Sequence, residues 1–217
     1  MRAPSLIQTR FSAPTQKWEV ATKAFYETHA ADYADSTRDL PSPPIVGEFL
    51  ESMRAGDQVA DLGCGGGRDL KTFRERQLRP IGLDYSLSMC AIARRHANAP
   101  VVNADMRLLP LRNQEFAGVS AIASLLHLPR NDVTTALHEV FRILKPGGLF
   151  VSSVKRGTDE YQDEKGRWFS FFERDEWITL LTSAGFTPLR EQLDRETRDS
   201  DETVTCVEWV SCLSRKG

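Results

Sequence analysis

Five short apolar runs punctuate the middle of this chain: Val59-Ala60-Asp61-Leu62, Pro80-Ile81-Gly82-Leu83-Asp84, Val101-Val102-Asn103-Ala104-Asp105-Met106, and segments 118–125 and 149–154. Each is too short for a helix and is bounded by turn residues, so each predicts a strand. Helical spacing fills the intervals. Segments 68–76 and 86–97 read as helices, and so does a segment capped by Asn131 or Asp132. In that segment Val133, Leu137, Val140, Phe141 and Leu144 share one face. Upstream, residues 18–35 predict an amphipathic helix carrying Trp18, Ala21, Phe25, Ala30 and Tyr33. Pro41-Ser42-Pro43-Pro44 breaks the chain before a helix at 45–53, and Gly56-Asp57 turns into the first strand. Downstream, 173–184 is a helix stopped by Gly185. Segments 187–197 and 203–213 read as two strands around a polar turn at 198–202. The alternation predicts an α/β fold: a seven-stranded, mostly parallel sheet with helices on both faces and an antiparallel last strand. Residues 17–217 make one domain, preceded by a flexible tail at 1–16 with Pro4 and Pro14.

Ligands of such sheets sit beyond the carboxyl ends of the strands, where the strand order reverses. The loop Asp61-Leu62-Gly63-Cys64-Gly65-Gly66-Gly67 falls there. Glycines at 63, 65 and 67 strip Cβ atoms from a tight turn, so backbone N–H groups can approach a ligand at a helix N-terminus. Arg68 stands where a dinucleotide fingerprint needs its third glycine, and no Gly-Lys-Ser/Thr follows as a phosphate-cradling loop requires. An acid, a spacer and Gly-x-Gly-x-Gly remain. This pattern resembles the first motif of the class I S-adenosylmethionine (SAM) methyltransferases, and the resemblance runs from about Trp18 to the C-terminus.

The resemblance implies a Rossmann-like fold, with SAM as cofactor, S-adenosylhomocysteine as product, and no metal. It implies that Asp61 faces the cationic methionine end and that Gly63, Gly65 and Gly67 admit the sulfonium and ribose. Asp84 closes the second strand, where a carboxylate can accept bonds from both ribose hydroxyls. The continuation through Tyr85, Ser86 and Met89 is similar to the family's Asp-x-Ser-x-x-Met turn. Asp105 is implied to meet the exocyclic amine of adenine, and the Met106 backbone N–H the ring. Leu144-Lys145-Pro146-Gly147-Gly148 sits where the family places its helix stop before the fifth strand. Phe25-Tyr26-x-x-His29-Ala30-x-x-Tyr33 resembles the N-terminal lid of small-molecule methyltransferases. That makes 17–44 a lid, with Tyr33 toward the cofactor and Tyr26 toward the substrate; a helix packing its aromatic stripe on the core is the other reading. The chain departs from the pattern at Phe116-Ala117-Gly118, where relatives commonly carry Phe-Asp.

Composition narrows the partners. The 217 residues carry a net charge of −2, which gives no electrostatic footprint for nucleic acid. Cys64, Cys90, Cys206 and Cys212 form no metal spacing; Cys64 lies in the glycine loop, and the others are expected to be buried as small apolar groups. No signal segment or long apolar run appears, so the reading is a cytoplasmic protein off the membrane, a monomer or homodimer.

Methyl transfer from a sulfonium needs an aligned acceptor, and a hydroxyl or ammonium acceptor needs a base. His127, after strand four, is the first candidate base and His29 on the lid the second. Arg130, Lys155, Tyr161, Arg167 and Trp168 are candidate substrate contacts; the last four lie in a polar insertion at 155–172 with interleaved basic and aromatic residues. That insertion reads as a lid or as an ordinary hairpin turning Trp168 and Phe171 inward. The leading expectation is methylation of an O or N atom of a small metabolite or natural product. A tRNA wobble-uridine carboxymethyl methyltransferase is the alternative, suggested by Thr37-Arg38 and Ala104-Asp105-Met106-Arg107. A SAM-binding regulator or silent partner subunit is the rival from another class.

Overall fold

A computed structural model describes residues 17–200 and 203–217. The chain begins with helices α1 (Lys17–Thr28), α2 (Ala30–Thr37) and α3 (Pro44–Glu51). Strand β1 (Gln58–Leu62), helix α4 (Arg68–Glu75), β2 (Arg79–Asp84), α5 (Leu87–Ala97) and β3 (Val101–Asn103) form the first half of the sheet. β4 (Phe116–Ile122), a single 3-10 turn at Leu125–His127, α6 (Arg130–Ile143) and β5 (Leu144–Lys155) form the second. A hairpin of β6 (Glu160–Gln162) and β7 (Trp168–Ser170), then α7 (Arg174–Ser183), β8 (Phe186–Ser200) and β9 (Thr203–Lys216), complete the described chain.

The seven-stranded sheet runs β3-β2-β1-β4-β5-β9-β8, with β9 antiparallel to both of its neighbours. Order reverses between β1 and β4, so the open crevice lies past the ends of those two strands. Both faces are covered. One carries the large cluster built around Phe116, Leu137, Phe150, Phe172, Trp177 and Phe186; the other carries Ile45, Phe49, Phe73 and Val151 under α3 and α4. Each such side chain contributes about 1.5–3 kcal/mol on burial. On β4, a Cβ on Gly118 would stand 2.6 Å from the Phe49 ring, so the glycine lets α3 sit directly on the strand.

Several boundaries differ from the sequence reading. The N-terminal helix breaks at His29, which leaves helical geometry (φ −108, ψ 20) while its Nδ1 bonds the Phe25 carbonyl at 3.0 Å. β3 stops at Asn103, because the Asp105 carboxylate accepts the Arg107 N–H (2.8 Å) and turns the chain. β4 starts at Phe116 and ends at Ile122; Ala123 takes a positive φ of 53° and leaves the strand. β5 starts at Leu144, before the Lys-Pro-Gly-Gly stretch, with a register shift between Phe116 and Gly118 on its neighbour. The last pair extends to Ser200 and Thr203, leaving Asp201 and Glu202 outside the described residues, as is the tail at 1–16. Cys206 is exposed, on a stretch of β9 beyond its pairing with β5.

Candidate active site

The glycine loop leaves β1 and enters α4 under two steric demands. Gly63 has φ +69, and a Cβ there would lie 2.4 Å from the Cβ of Ser124. Gly67 caps α4 at φ +85, with Ala93 of α5 only 2.9 Å from a hypothetical Cβ. Only glycine meets both conditions without strain. The loop is then stitched to the end of β2: Asp84 accepts Gly65 N–H at 2.9 Å on one oxygen and Ser86 N–H at 2.8 Å on the other. Burial pushes the Asp84 carboxyl up to about 6, against the pull of those N–H donors. Ser86 caps α5 by accepting Met89 N–H (3.1 Å). Asp61 is buried at the end of β1. Burial, with Asp69 adding to it, raises its pKa well above the usual carboxylate range, and Arg68 opposes the shift.

Across the crevice, Arg107 gathers three carboxylates: Asp105 (2.6 Å), Asp132 (2.8 Å) and Glu19 (2.9 Å). Hydrogen bonds donated to Asp105 first, then the charges around it, hold the guanidinium firmly protonated. Glu19 also accepts the Tyr85 hydroxyl at 2.7 Å; burial first, then this bond, pushes the phenol up to about 12. Both Glu19 contacts come from α1, which lies over the crevice. A third tie fixes its far end. Glu27 accepts Leu87 N–H (2.6 Å) and Ser88 N–H (3.0 Å), capping α5 from outside the helix. Burial alone would raise the Glu27 carboxyl, but the bonds from Ser88 and Leu87 and the charge of Lys23 hold it below its ordinary value.

Beneath α1 lies a cavity of about 120 Å³, walled by Trp18, Glu19, Asp84, Tyr85, Met89, Asp105, Met106 and Arg107. A second cavity of about 710 Å³ adjoins it, walled by Asp61, Arg68, Lys155, Arg167, Phe169 and Trp209 and by the segment from Leu40 to Pro44. Tyr26, Tyr33, Gly63, Gly65, Ala123 and His127 border both. On the second cavity's wall, Lys155 Nζ lies 3.9 Å and the Arg167 guanidinium 5.0 Å from the Phe169 ring centre.

His127 stands on the shared wall, with Nδ1 2.7 Å from the Trp168 carbonyl and Nε2 2.8 Å from the Tyr26 hydroxyl. Burial above all lowers its pKa to about 4, and the Trp168 bond only partly offsets this. The remaining sequence candidates fall elsewhere. His29 is exposed, stacked on Phe25 at 4.6 Å, and lines neither cavity. Arg130 ties the insertion to α7 through Glu176 and the carbonyls of Phe171 and Thr158. Tyr161 is exposed and stacks on Phe171 at 5.6 Å. Trp168 reaches the site through its carbonyl, while its N–H donates to Thr22 of α1 at 2.9 Å and its ring packs 6.0 Å from that of Trp18. Gly67 shapes the loop from behind.

The sequence alone assigned no role in the site to Glu19, Lys23, Arg107 or Ser124. Glu19, Lys23 and Tyr26 recur at helical spacing along α1, a polar stripe beside the aromatic one; that was the available signal. Ser124 carries a buried hydroxyl with no hydrogen-bond partner among the described residues, on the wall of the smaller cavity. Among the described residues no cluster of His, Cys, Asp or Glu is arranged to hold a metal, and no helix is long and apolar enough to cross a membrane.

Comparison with known proteins sets this arrangement in context. A family model described as a methyltransferase domain matches residues 59–148. The tRNA (carboxymethyluridine(34)-5-O)-methyltransferase ALKBH8 of Macaca fascicularis is 30% identical over 184 residues, 82% of this chain and 27% of that protein. An uncharacterized protein of Methanocaldococcus jannaschii is 33% identical over 138 residues, 63% of this chain and 52% of that one. This chain therefore spans about half or less of the length of these curated relatives. The crystal structure of Burkholderia thailandensis 1,6-didemethyltoxoflavin-N1-methyltransferase, with 1,6-didemethyltoxoflavin and S-adenosylhomocysteine bound, shares the fold. It has a TM-score of 0.74 at 21% identity, covering 97% of this chain and 93% of that one.

Proposed function

We propose that the chain, whose residues 59–148 match a methyltransferase-domain model, is a class I SAM-dependent methyltransferase that methylates an oxygen or nitrogen atom of a small molecule held in the larger cavity. The residues present fit the cofactor. Asp84 and Asp105 offer carboxylates on the wall of the smaller cavity, Gly63 and Gly65 leave the backbone bare, and the buried Ser124 hydroxyl has a bond left to make. The methionine end would reach past the shared wall into the larger cavity, where Asp61 would neutralise its ammonium, which would in turn ionise a carboxyl that burial disfavours. When bound, SAM supplies an electrophilic methyl group. The chain's own task is to align an acceptor and exclude water.

The observation that carries this reading is the common wall. Two cavities meet at Tyr26, Tyr33, Gly63, Gly65, Ala123 and His127, one walled by the carboxylates of Asp84 and Asp105 and the other large enough for a small acceptor. Cations stacked on Phe169 suit a flat or anionic acceptor. The likeness to ALKBH8 across 82% of this chain favours a second reading, a tRNA carboxymethyl group as acceptor. One assay separates the two. Tritium from methyl-labelled SAM is followed into phenols, amines and carboxylic acids on one side and into bulk tRNA on the other. Transfer to a small molecule supports the first reading; transfer to tRNA alone overturns it.

A further inference from the structure

We propose that Tyr26 is the catalytic residue that takes the acceptor's proton, with His127 behind it as the positioning group and final proton holder. This rests on the methyl-transfer reading above and goes further, because it requires an acceptor that carries a proton: a hydroxyl, a phenol or an amine N–H, in place of a carboxylate.

The direction of the hydrogen bonds carries the argument. The Trp168 carbonyl can only accept, so Nδ1 of His127, 2.7 Å away, must bear a hydrogen. Burial keeps the ring neutral at neutral pH, so Nε2 is bare and accepts the Tyr26 hydroxyl at 2.8 Å. The imidazole therefore has no nitrogen left for an acceptor, and within the pair the Tyr26 oxygen, which Tyr33 and Arg167 also approach, is the atom that can still take a proton. Tyr26 also borders both cavities, on the shared wall where a methyl donor and an acceptor would meet. The charged groups around the pair are Arg167 and Lys155, which disfavour an imidazolium, and Asp163, which favours it; the phenol also faces Tyr33 and Arg167, and burial first, then Tyr33, holds it well above its ordinary value against the pull of Arg167.

The step balances. A lone pair on the acceptor atom forms the bond to the methyl carbon while the carbon–sulfur bond breaks toward sulfur. The acceptor's proton passes to the Tyr26 oxygen and the phenolic proton to Nε2 of His127. The positive charge leaves the sulfonium and ends on the imidazolium, so loss of the cationic neighbour makes the imidazole more basic as the reaction proceeds.

Two measurements test this. Nitrogen-resolved NMR of the histidine ring in the free protein should show His127 as the Nδ1–H tautomer, neutral down to about pH 5, with the Nε2 resonance displaced in Tyr26→Phe. An Nε2–H tautomer, or no response to Tyr26→Phe, overturns the arrangement whatever the acceptor is. Turnover is then measured for a phenol that is neutral at pH 8 and for 4-nitrophenol, which is ionised there. Tyr26→Phe and His127→Asn should lower kcat for the neutral phenol by about 100-fold or more while KM moves less than about threefold, and should leave 4-nitrophenol little affected. The wild-type profile should be flat above pH 6, and those of the variants should rise toward the acceptor's own pKa. Equal losses on both phenols, or wild-type transfer only to carboxylates, overturns the role. If the protein binds no S-adenosylhomocysteine, the methyl-transfer reading fails, and the NMR result still decides the hydrogen-bond arrangement by itself.

Discussion

Cofactor binding should release protons near pH 6, and Asp84 should be a main source. In the ligand-free fold its carboxyl sits at about 6, because burial outweighs the two backbone N–H donors. Hydroxyls donating to the two oxygens would favour the ionised form, at about 1.5–3 kcal/mol per charge-assisted bond. Returning the group to its ordinary range near 4 corresponds to roughly 3 kcal/mol. At pH 6 the free site is about half protonated and the bound site ionised, so binding should release about half a proton from this residue. Affinity should be level above pH 6 and fall as pH drops below it. Calorimetry with S-adenosylhomocysteine at pH 6, in two buffers of different ionisation enthalpy, reads the release directly. Asp61 titrates in the same sense, so the informative quantity is the difference between wild type and Asp84→Asn, with folding checked by circular dichroism. The variant should also bind roughly 10- to 100-fold more weakly at pH 7. The same shift has a signature without ligand. A raised carboxyl adds stability that is full below the unfolded-state value and is lost as pH rises through about 6. Wild type should therefore gain stability relative to Asp84→Asn between pH 6 and 4. Identical proton release in both proteins, or affinity that is flat down to pH 5, would refute the assignment.

Glu27→Gln should loosen α1 by roughly 1 kcal/mol, seen as faster proteolysis within 17–28 and faster dissociation of S-adenosylhomocysteine. Because the Glu27 carboxyl is held below its ordinary value, its contribution is present at neutral pH and lost as pH falls through that lowered value. Gly67→Ala combines a φ of +85° with a 2.9 Å approach to Ala93, and should cost about 1–3 kcal/mol in urea denaturation. Arg107→Met leaves Glu19, Asp105 and Asp132 facing one another without their common cation; it should weaken cofactor binding at least tenfold in calorimetry and lower the Tm, with added salt partly restoring both.

The sheet was legible because its strands are short, apolar and separated by helices with clean periodicity, and the antiparallel final strand follows from two long runs at the C-terminus. The acids at positions 61, 84 and 105 were legible because each closes an apolar run, and a parallel sheet brings such ends to one edge. Local chemistry that competes with periodicity was not legible. His29 breaks a helix through its own side chain, and Asp105 ends a strand by turning back on Arg107. Contacts between distant segments were hidden for a different reason. Nothing in the sequence singles out partners for Glu19 and Glu27 until the fold sets them against Tyr85, Arg107 and the N-terminus of α5. His127 stood out as a histidine after a strand, but its partners, the Trp168 carbonyl and Tyr26, lie far off in sequence, so its tautomer was invisible.

The central claim, that the crevice under α1 binds the cofactor, is tested most directly by hydrogen exchange with and without S-adenosylhomocysteine. Bound S-adenosylhomocysteine should slow exchange in the loops at 63–67, 84–89 and 105–107 and along α1 at 17–28, with little change at 186–192 of the edge strand β8. Binding without protection of these loops, or protection confined to another face, would contradict it.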